Sequence, residues 1–149
     1  MLRAEMPSVL VVEDEEDLLD ELVELFELRG LRSLGVGCVD DAVALLSELA
    51  GPVTIIADLN LPRLSGVDLL RLLGSSHRLR SRVSAFILIT GHTDLDESDR
   101  QSLRQCGAAI LSKPVRVRDL LPLVERSEPV DWGLVEDGIQ LDAPNGRRS

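Results

Sequence analysis

Five side chains in this sequence could do chemistry together: Glu13, Asp14, Asp58, Thr90 and Lys113. All of them stand at or just past the end of a short apolar run. Asp58 closes Val53-Thr-Ile-Ile-Ala, and Glu13-Asp14 close Ser8-Val-Leu-Val-Val12. Thr90 closes Ala85-Phe-Ile-Leu-Ile89, and Lys113 comes one residue after Ala108-Ala-Ile-Leu111. Carboxylates gathered at one place repel one another, and a cationic side chain or a divalent metal relieves that repulsion. Oxygen donors without His or Cys select a hard ion such as Mg²⁺. A carboxylate nucleophile, Mg²⁺, an ammonium and a hydroxyl are what phosphoryl transfer requires. An isolated aspartate ending a strand more often caps a turn, so the argument for Asp58 rests on its company.

That company depends on the elements that carry it. Runs rich in Val, Ile and Thr read as strands buried on both faces. Between them, Leu18, Leu22, Leu25 and Phe26 form an amphipathic stripe ending at Gly30. Glu15, Glu16 and Asp17 suit the first turn of that helix. Leu31 to Val36 reads as a weaker strand. Asp40 or Asp41 is expected to cap a second helix bearing Ala42, Leu45, Leu46 and Leu49, which Gly51-Pro52 stops. Ser65 is expected to cap a third, bearing Val67, Leu70 and Leu73.

Ser75 to Arg82 reads as a solvated basic loop. A fourth helix is expected from Asp94 to Cys106, anchored by Leu95, Leu103 and Cys106, and a fifth carries Val117, Leu120, Leu121 and Val124. Pro122 must either lie in the first turn of that last helix or kink it.

Five strands alternating with five helices predict an α/β fold, a doubly wound five-stranded parallel sheet. Right-handed crossovers place every strand's C-terminal end on one edge. Glu13, Asp14, Asp58, Thr90 and Lys113 therefore converge on a single rim, the edge where such sheets bind ligands.

Composition narrows the functions further. The chain has 149 residues and a formal charge of −10, with 26 acidic against 16 basic residues, which argues against direct nucleic-acid binding. One Trp, two Phe and no Tyr leave little for base stacking. Cys38 and Cys106 have no CxxC spacing and read as reduced thiols of a cytoplasmic protein. No stretch approaches the ~20 apolar residues of a membrane span, and the N-terminus lacks the apolar segment of a signal peptide.

With Glu13-Asp14, the Asp58-Leu-Asn-Leu-Pro62-Arg-Leu-Ser-Gly66 loop, Thr90-Gly91 and Lys113-Pro114 in order, the chain resembles the receiver domain of bacterial two-component response regulators. The resemblance covers roughly residues 8 to 126, which sets a receiver over 1–127 and a tail over 128–149. It implies the flavodoxin-like strand order 2-1-3-4-5. It also implies that Asp58 accepts a phosphoryl group from a sensor histidine kinase or a phosphotransfer protein. Asp14, Asp58 and the backbone carbonyl of Asn60 would then bind Mg²⁺, with Glu13, more often Asp in the family, holding a metal-bound water.

Lys113 would pair with Asp58 or the phosphoryl oxygens, across a Lys113-Pro114 peptide expected to be cis. Thr90 would turn toward the phosphoryl group and report it, while Asn60 and His92 would tune its lifetime. Homodimerisation through the Asp94–Cys106 helix, the fifth strand and the fifth helix is common in the family.

One departure stands out. Where the family commonly has an aromatic residue three before the lysine, this chain has Ile110, which puts the usual coupling from Thr90 in question. Two other readings follow from the same residues. One is a pseudo-receiver acting by docking alone; the other is an aspartyl phosphatase, against which the lack of a general acid at Asn60 speaks. In the tail, Asp137-Gly138 between short apolar alternations is a hairpin signal, and past Ala143 the composition suggests disorder. The tail is too short for an output domain, so the chain either acts through its own surface or belongs to a longer protein.

Overall fold

Each residue from Val9 to Val12 is buried, and that strand, β1, is the reference for the whole sheet. The computed structural model describes residues 7–91, 93–126 and 128–136. Around β1, in chain order, come α1 (Glu16–Leu28), β2 (Ser33–Val36), α2 (Val39–Glu48), β3 (Val53–Asp58) and α3 (Gly66–Gly74). They are followed by α4 (His77–Arg80), β4 (Val83–Thr90), α5 (Glu97–Gln105), β5 (Ala109–Ser112), α6 (Val117–Glu125) and α7 (Trp132–Glu136). All strand pairs are parallel and the order is β2-β1-β3-β4-β5, as the alternation of elements and the resemblance require.

The period of two along the strands splits the core into two layers. Leu10, Val12, Ile55, Ala57, Phe86 and Leu88 pack with α2, α3 and α5 on one face. Val9, Val11, Ile56, Ile87 and Ile89 meet Leu22 and Phe26 of α1 and Leu120 of α6 on the other. Both faces are covered, which is why these strands read as unbroken apolar runs.

Several local expectations are met with detail added. Ser65 caps α3 through a capping box. Its Oγ accepts from the Asp68 N–H at 3.1 Å, and Asp68 Oδ2 accepts from the Ser65 N–H at 2.8 Å. Helix α5 has the same device, with Asp96 as cap and Asp99 as its reciprocal partner, so it begins at Glu97 rather than at Asp94.

Other expectations need correction. Helix α2 starts at Val39 with Cys38 as its N-cap, and Asp40 and Asp41 sit within its first turn instead of capping it. Val39, Ala42 and Leu46 form one buried stripe, and burying Val39 draws the helix start forward. Ser75 to Arg82 is not wholly loop. Ser76 Oγ accepts from the Leu79 N–H at 3.3 Å, closing the one-turn α4, while Leu79 packs on the core. Pro122 lies well inside α6, past its first turn, where it offers no N–H to the carbonyl one turn earlier.

The tail departs most. Leu134 to Glu136, expected as one leg of a hairpin, belong to helix α7, and the Asp137-Gly138 turn lies outside the described residues. Val130 and Val135 are buried in the core layer beside α3. The Asp131 N–H donates to the Cys106 carbonyl at 2.8 Å. Arg80 lies 6.0 Å over the Trp132 ring, pairs with Glu136, and donates from Nε to the Gly74 carbonyl at 2.8 Å. Two apolar side chains with a waiting pocket favour a docked helical turn over a hairpin that would face solvent on both sides.

Candidate functional site at the C-terminal edge of the sheet

Strand β1 delivers Glu13 to the rim. The Glu13 N–H still bonds to the Val36 carbonyl at 3.0 Å, so the ladder continues one residue and draws the side chain in. Only 2% of Glu13 is exposed. Its Oε2 accepts from the Glu15 N–H at 3.0 Å, while Oε1 is buried with no hydrogen-bond partner. Asp14, next along, is exposed.

Strand β3 delivers Asp58, also 2% exposed. Asp58 Oδ2 accepts from Lys113 Nζ at 2.8 Å and Oδ1 from the Asn60 N–H at 3.1 Å. The loop after it is fixed by backbone bonds: Leu59 N–H to the Ile89 carbonyl at 2.7 Å, and Gly66 N–H to the Leu59 carbonyl at 3.0 Å. Gly66 is required here, because a Cβ would stand 2.6 Å from the Asp58 carbonyl oxygen and 2.7 Å from Leu88 Cδ1. Arg63, at φ 65°, turns the loop in the left-handed region, and its side chain pairs with Asp40 at the start of α2.

Strand β4 delivers Thr90, fully buried, whose hydroxyl donates to the Gly91 carbonyl at 2.9 Å. The Lys113 N–H bonds to the Thr90 carbonyl at 2.9 Å, so β5 carries the lysine to the rim in register. The Lys113-Pro114 peptide is cis, as expected from the resemblance.

Glu13, Asp14 and Asp58 each offer a carboxylate oxygen, and these oxygens all lie within 4.8 Å of one another. Burial, with the Asp58 charge adding to it, pushes the Glu13 carboxyl up to about 7 against the pull of the Glu15 N–H. For Lys113, burial opposes the charge, but the Asp58 bond and the charges of Asp58, Glu13 and Glu15 outweigh it and raise the ammonium pKa. An all-oxygen donor set with one buried, unpartnered Glu13 oxygen fits a hard divalent cation such as Mg²⁺.

The structure thus brings together Glu13, Asp14, Asp58, Asn60, Thr90 and Lys113. His92 lies outside the described residues. Ile110 sits half-buried on β5, paired with Leu88 and packed on the core, as simple edge packing predicts. A residue the sequence reading assigned only to a helix start, Asp94, stands in the β4–α5 loop instead. Its Oδ2 accepts from Asn60 Nδ2 at 2.7 Å and from the Gly91 N–H at 2.9 Å. The only signal for it was an aspartate three residues after Gly91, a spacing at which the side chain can bond back to the turn.

Fold and rim together define a doubly wound α/β domain with a carboxylate cluster and a lysine at the carboxyl ends of its strands. Comparison with known proteins supplies the family. Residues 9–125 match the response regulator receiver domain. The transcriptional regulatory protein PdtaR of Mycobacterium tuberculosis is 30% identical over 118 residues, covering 78% of this chain and 54% of that protein. The sensory transduction protein RegX3 of the same species is 34% identical over 145 residues, covering 93% and 60%. AruR of Pseudomonas aeruginosa, a transcriptional regulatory protein, is 37% identical over 123 residues, covering 79% and 48%. The chain spans about half the length of these relatives.

Among solved structures, a response regulator receiver protein from Pseudomonas putida superposes with a TM-score of 0.69 at 29% identity, covering 82% of this chain and 98% of that one. A CheY-like receiver domain from Methylobacillus flagellatus gives 0.66 at 26% identity, covering 80% and 97%. The chain belongs to the response regulator receiver domain family, a signalling module of two-component systems. Among the described residues, no helix is long and apolar enough to cross a membrane.

Proposed function

We propose that Asp58 accepts a phosphoryl group from the phosphohistidine of a sensor kinase or phosphotransfer protein, in the cytoplasm, and that this switches binding of a downstream partner. The observation that carries the reading is Asp58 itself: a buried carboxylate at a strand end, in contact with a lysine and in a carboxylate cluster where the buried Glu13 Oε1 accepts no hydrogen bond.

In the transfer, an Asp58 oxygen attacks phosphorus, the P–N bond to the donor imidazole breaks as the P–O bond forms, and the imidazole leaves with the electron pair and takes up a proton. Asp14, Asp58 and the Asn60 carbonyl would hold Mg²⁺, with Glu13 bonded to a water beside it. When bound, Mg²⁺ supplies charge neutralisation on the phosphoryl oxygens. Lys113 is already at 2.8 Å from Asp58 and needs only a small movement to bond a phosphoryl oxygen instead. Thr90 must release the Gly91 carbonyl to donate to the phosphoryl group, which makes it the reporter of modification.

The test is labelling with acetyl phosphate, followed by intact mass, with and without Mg²⁺. A gain of one phosphoryl group that needs Mg²⁺ and is absent in Asp58→Asn is expected; no gain under any condition would refute the reading. Ile110 bears on the output. With no aromatic ring to follow Thr90, Ile110→Tyr is expected to increase the dependence of partner affinity on phosphorylation, and an unchanged dependence would remove that residue from the switch.

A further inference from the structure

We propose that Asp94 is a positioning residue, a latch that ties the loop after Asp58 to the loop after Thr90 and holds the site in its unphosphorylated arrangement. The inference rests on Asp58 being the phospho-acceptor and concerns how readily it becomes modified.

One oxygen, Asp94 Oδ2, takes both bonds: Asn60 Nδ2 at 2.7 Å and the Gly91 N–H at 2.9 Å. The first reaches across 34 positions, from the β4–α5 loop to the β3–α3 loop. The second is made possible by glycine, since a Cβ at position 91 would stand 2.6 Å from that same oxygen. Both donors meet a carboxylate, so the bonds are of the stronger, charge-assisted kind.

Each end of the latch touches a group the chemistry needs. Asn60 gives its backbone N–H to Asp58 Oδ1, and its side-chain amide is committed to Asp94. Gly91 carries the carbonyl that holds the Thr90 hydroxyl. While Asp94 clamps the Gly91 turn, that carbonyl stays in place as the acceptor for Thr90. A phosphoryl group on Asp58 presents new acceptor oxygens to both Thr90 and the Asn60 amide, and drawing them in requires the latch to open. Asp94 therefore stabilises the unmodified state against the modified one, and by linkage phosphorylation weakens the latch.

The experiment compares rates of acetyl phosphate labelling in Mg²⁺ for the wild type, Asp94→Ala, Asp94→Asn, Asn60→Ala and the Asn60→Ala/Asp94→Ala double variant. Asp94→Ala is expected to label roughly three- to tenfold faster. Asp94→Asn, which keeps a neutral acceptor and guards against a folding defect in the alanine variant, is expected to lie between it and the wild type. In the Asn60→Ala background, removing Asp94 is expected to change the rate little, because the latch is already cut.

A spectroscopic mark accompanies the rates. The Gly91 amide resonance is expected to shift in unphosphorylated Asp94→Ala and, in the same direction, in the phosphorylated wild type. A labelling rate unchanged in Asp94→Ala overturns the latch while leaving Asp58 as acceptor. Acceleration that persists in full in the Asn60→Ala background also overturns it, pointing to the charge of Asp94 alone. A wild type that never labels overturns the acceptor reading and the latch with it.

Discussion

Lys113 Nζ stands 2.8 Å from Asp58 Oδ2, although the two residues are 55 positions apart and arrive on different strands. The lysine is partly exposed and the aspartate is buried, so the contact places a mobile positive charge against a fixed negative one. Substitution of Lys113 by Met leaves the carboxylate cluster without its cationic side chain and removes a donor from the developing charge of transfer. Labelling of Asp58 is expected to slow by about a hundredfold. A time course of intact mass with acetyl phosphate checks this, and a rate within threefold of wild type would contradict it.

Glu13 sets a pH dependence in the metal-free protein. Its folded-state pKa is raised from 4.5 to about 7, so between these values the folded chain holds a proton that the unfolded chain has released. Stability therefore falls as pH rises through this window and levels off above it, by on the order of 3 kcal/mol in all. Urea denaturation in EDTA across pH 4 to 8 should show this fall in the wild type and a flatter profile in Glu13→Gln. Added Mg²⁺ should restore much of the loss at the upper end.

Gly66 tests the packing of the acceptor loop. Alanine there must push against the Asp58 carbonyl, so Gly66→Ala is expected to cost about 1–3 kcal/mol and to slow labelling as well. Thermal denaturation and the labelling assay on the same variant measure the two effects. A stable variant with normal labelling would mean that the loop yields more easily than its backbone bonds imply.

The docked tail can be weighed in the same way. Val135 is 4% exposed against α3, so Val135→Ala is expected to cost about 1–2 kcal/mol. Trp132 is the chain's one tryptophan, so its emission reports the docking directly. The expected signature is a red shift in Val135→Ala at denaturant concentrations where far-UV circular dichroism is still native.

The sheet and its rim were legible because β1, β3, β4 and β5 each run into polar residues of distinct type, and parallel connections leave one edge for all of them. Asp58, Thr90 and Lys113 are placed by strand register, which the period-two pattern carries. Helix starts were less legible. The sequence offered Asp40 and Asp41 as caps, but burial of Val39 decided the start of α2, and burial is a property of the assembled core. Asp94 was missed for a related reason. Its partners, Asn60 and Gly91, come from two loops, and no local pattern announces that they meet. The tail was misread because Asp137-Gly138 is a strong local turn signal, whereas the pocket for Val130 and Val135 exists only once α3 and the turn before β5 are in place.

Helix α3 begins beside Asp58 and runs back against the strands, covering roughly 13 Å to its end at Gly74. There it meets Trp132 and Val135, while the neighbouring Asp131 grips the carbonyl of Cys106 at the foot of α5. The last described helix, α7, is therefore docked at the pole opposite the rim. A change at Asp58 would be felt at α7 only as a tug, relayed down the length of α3 to a moored cable.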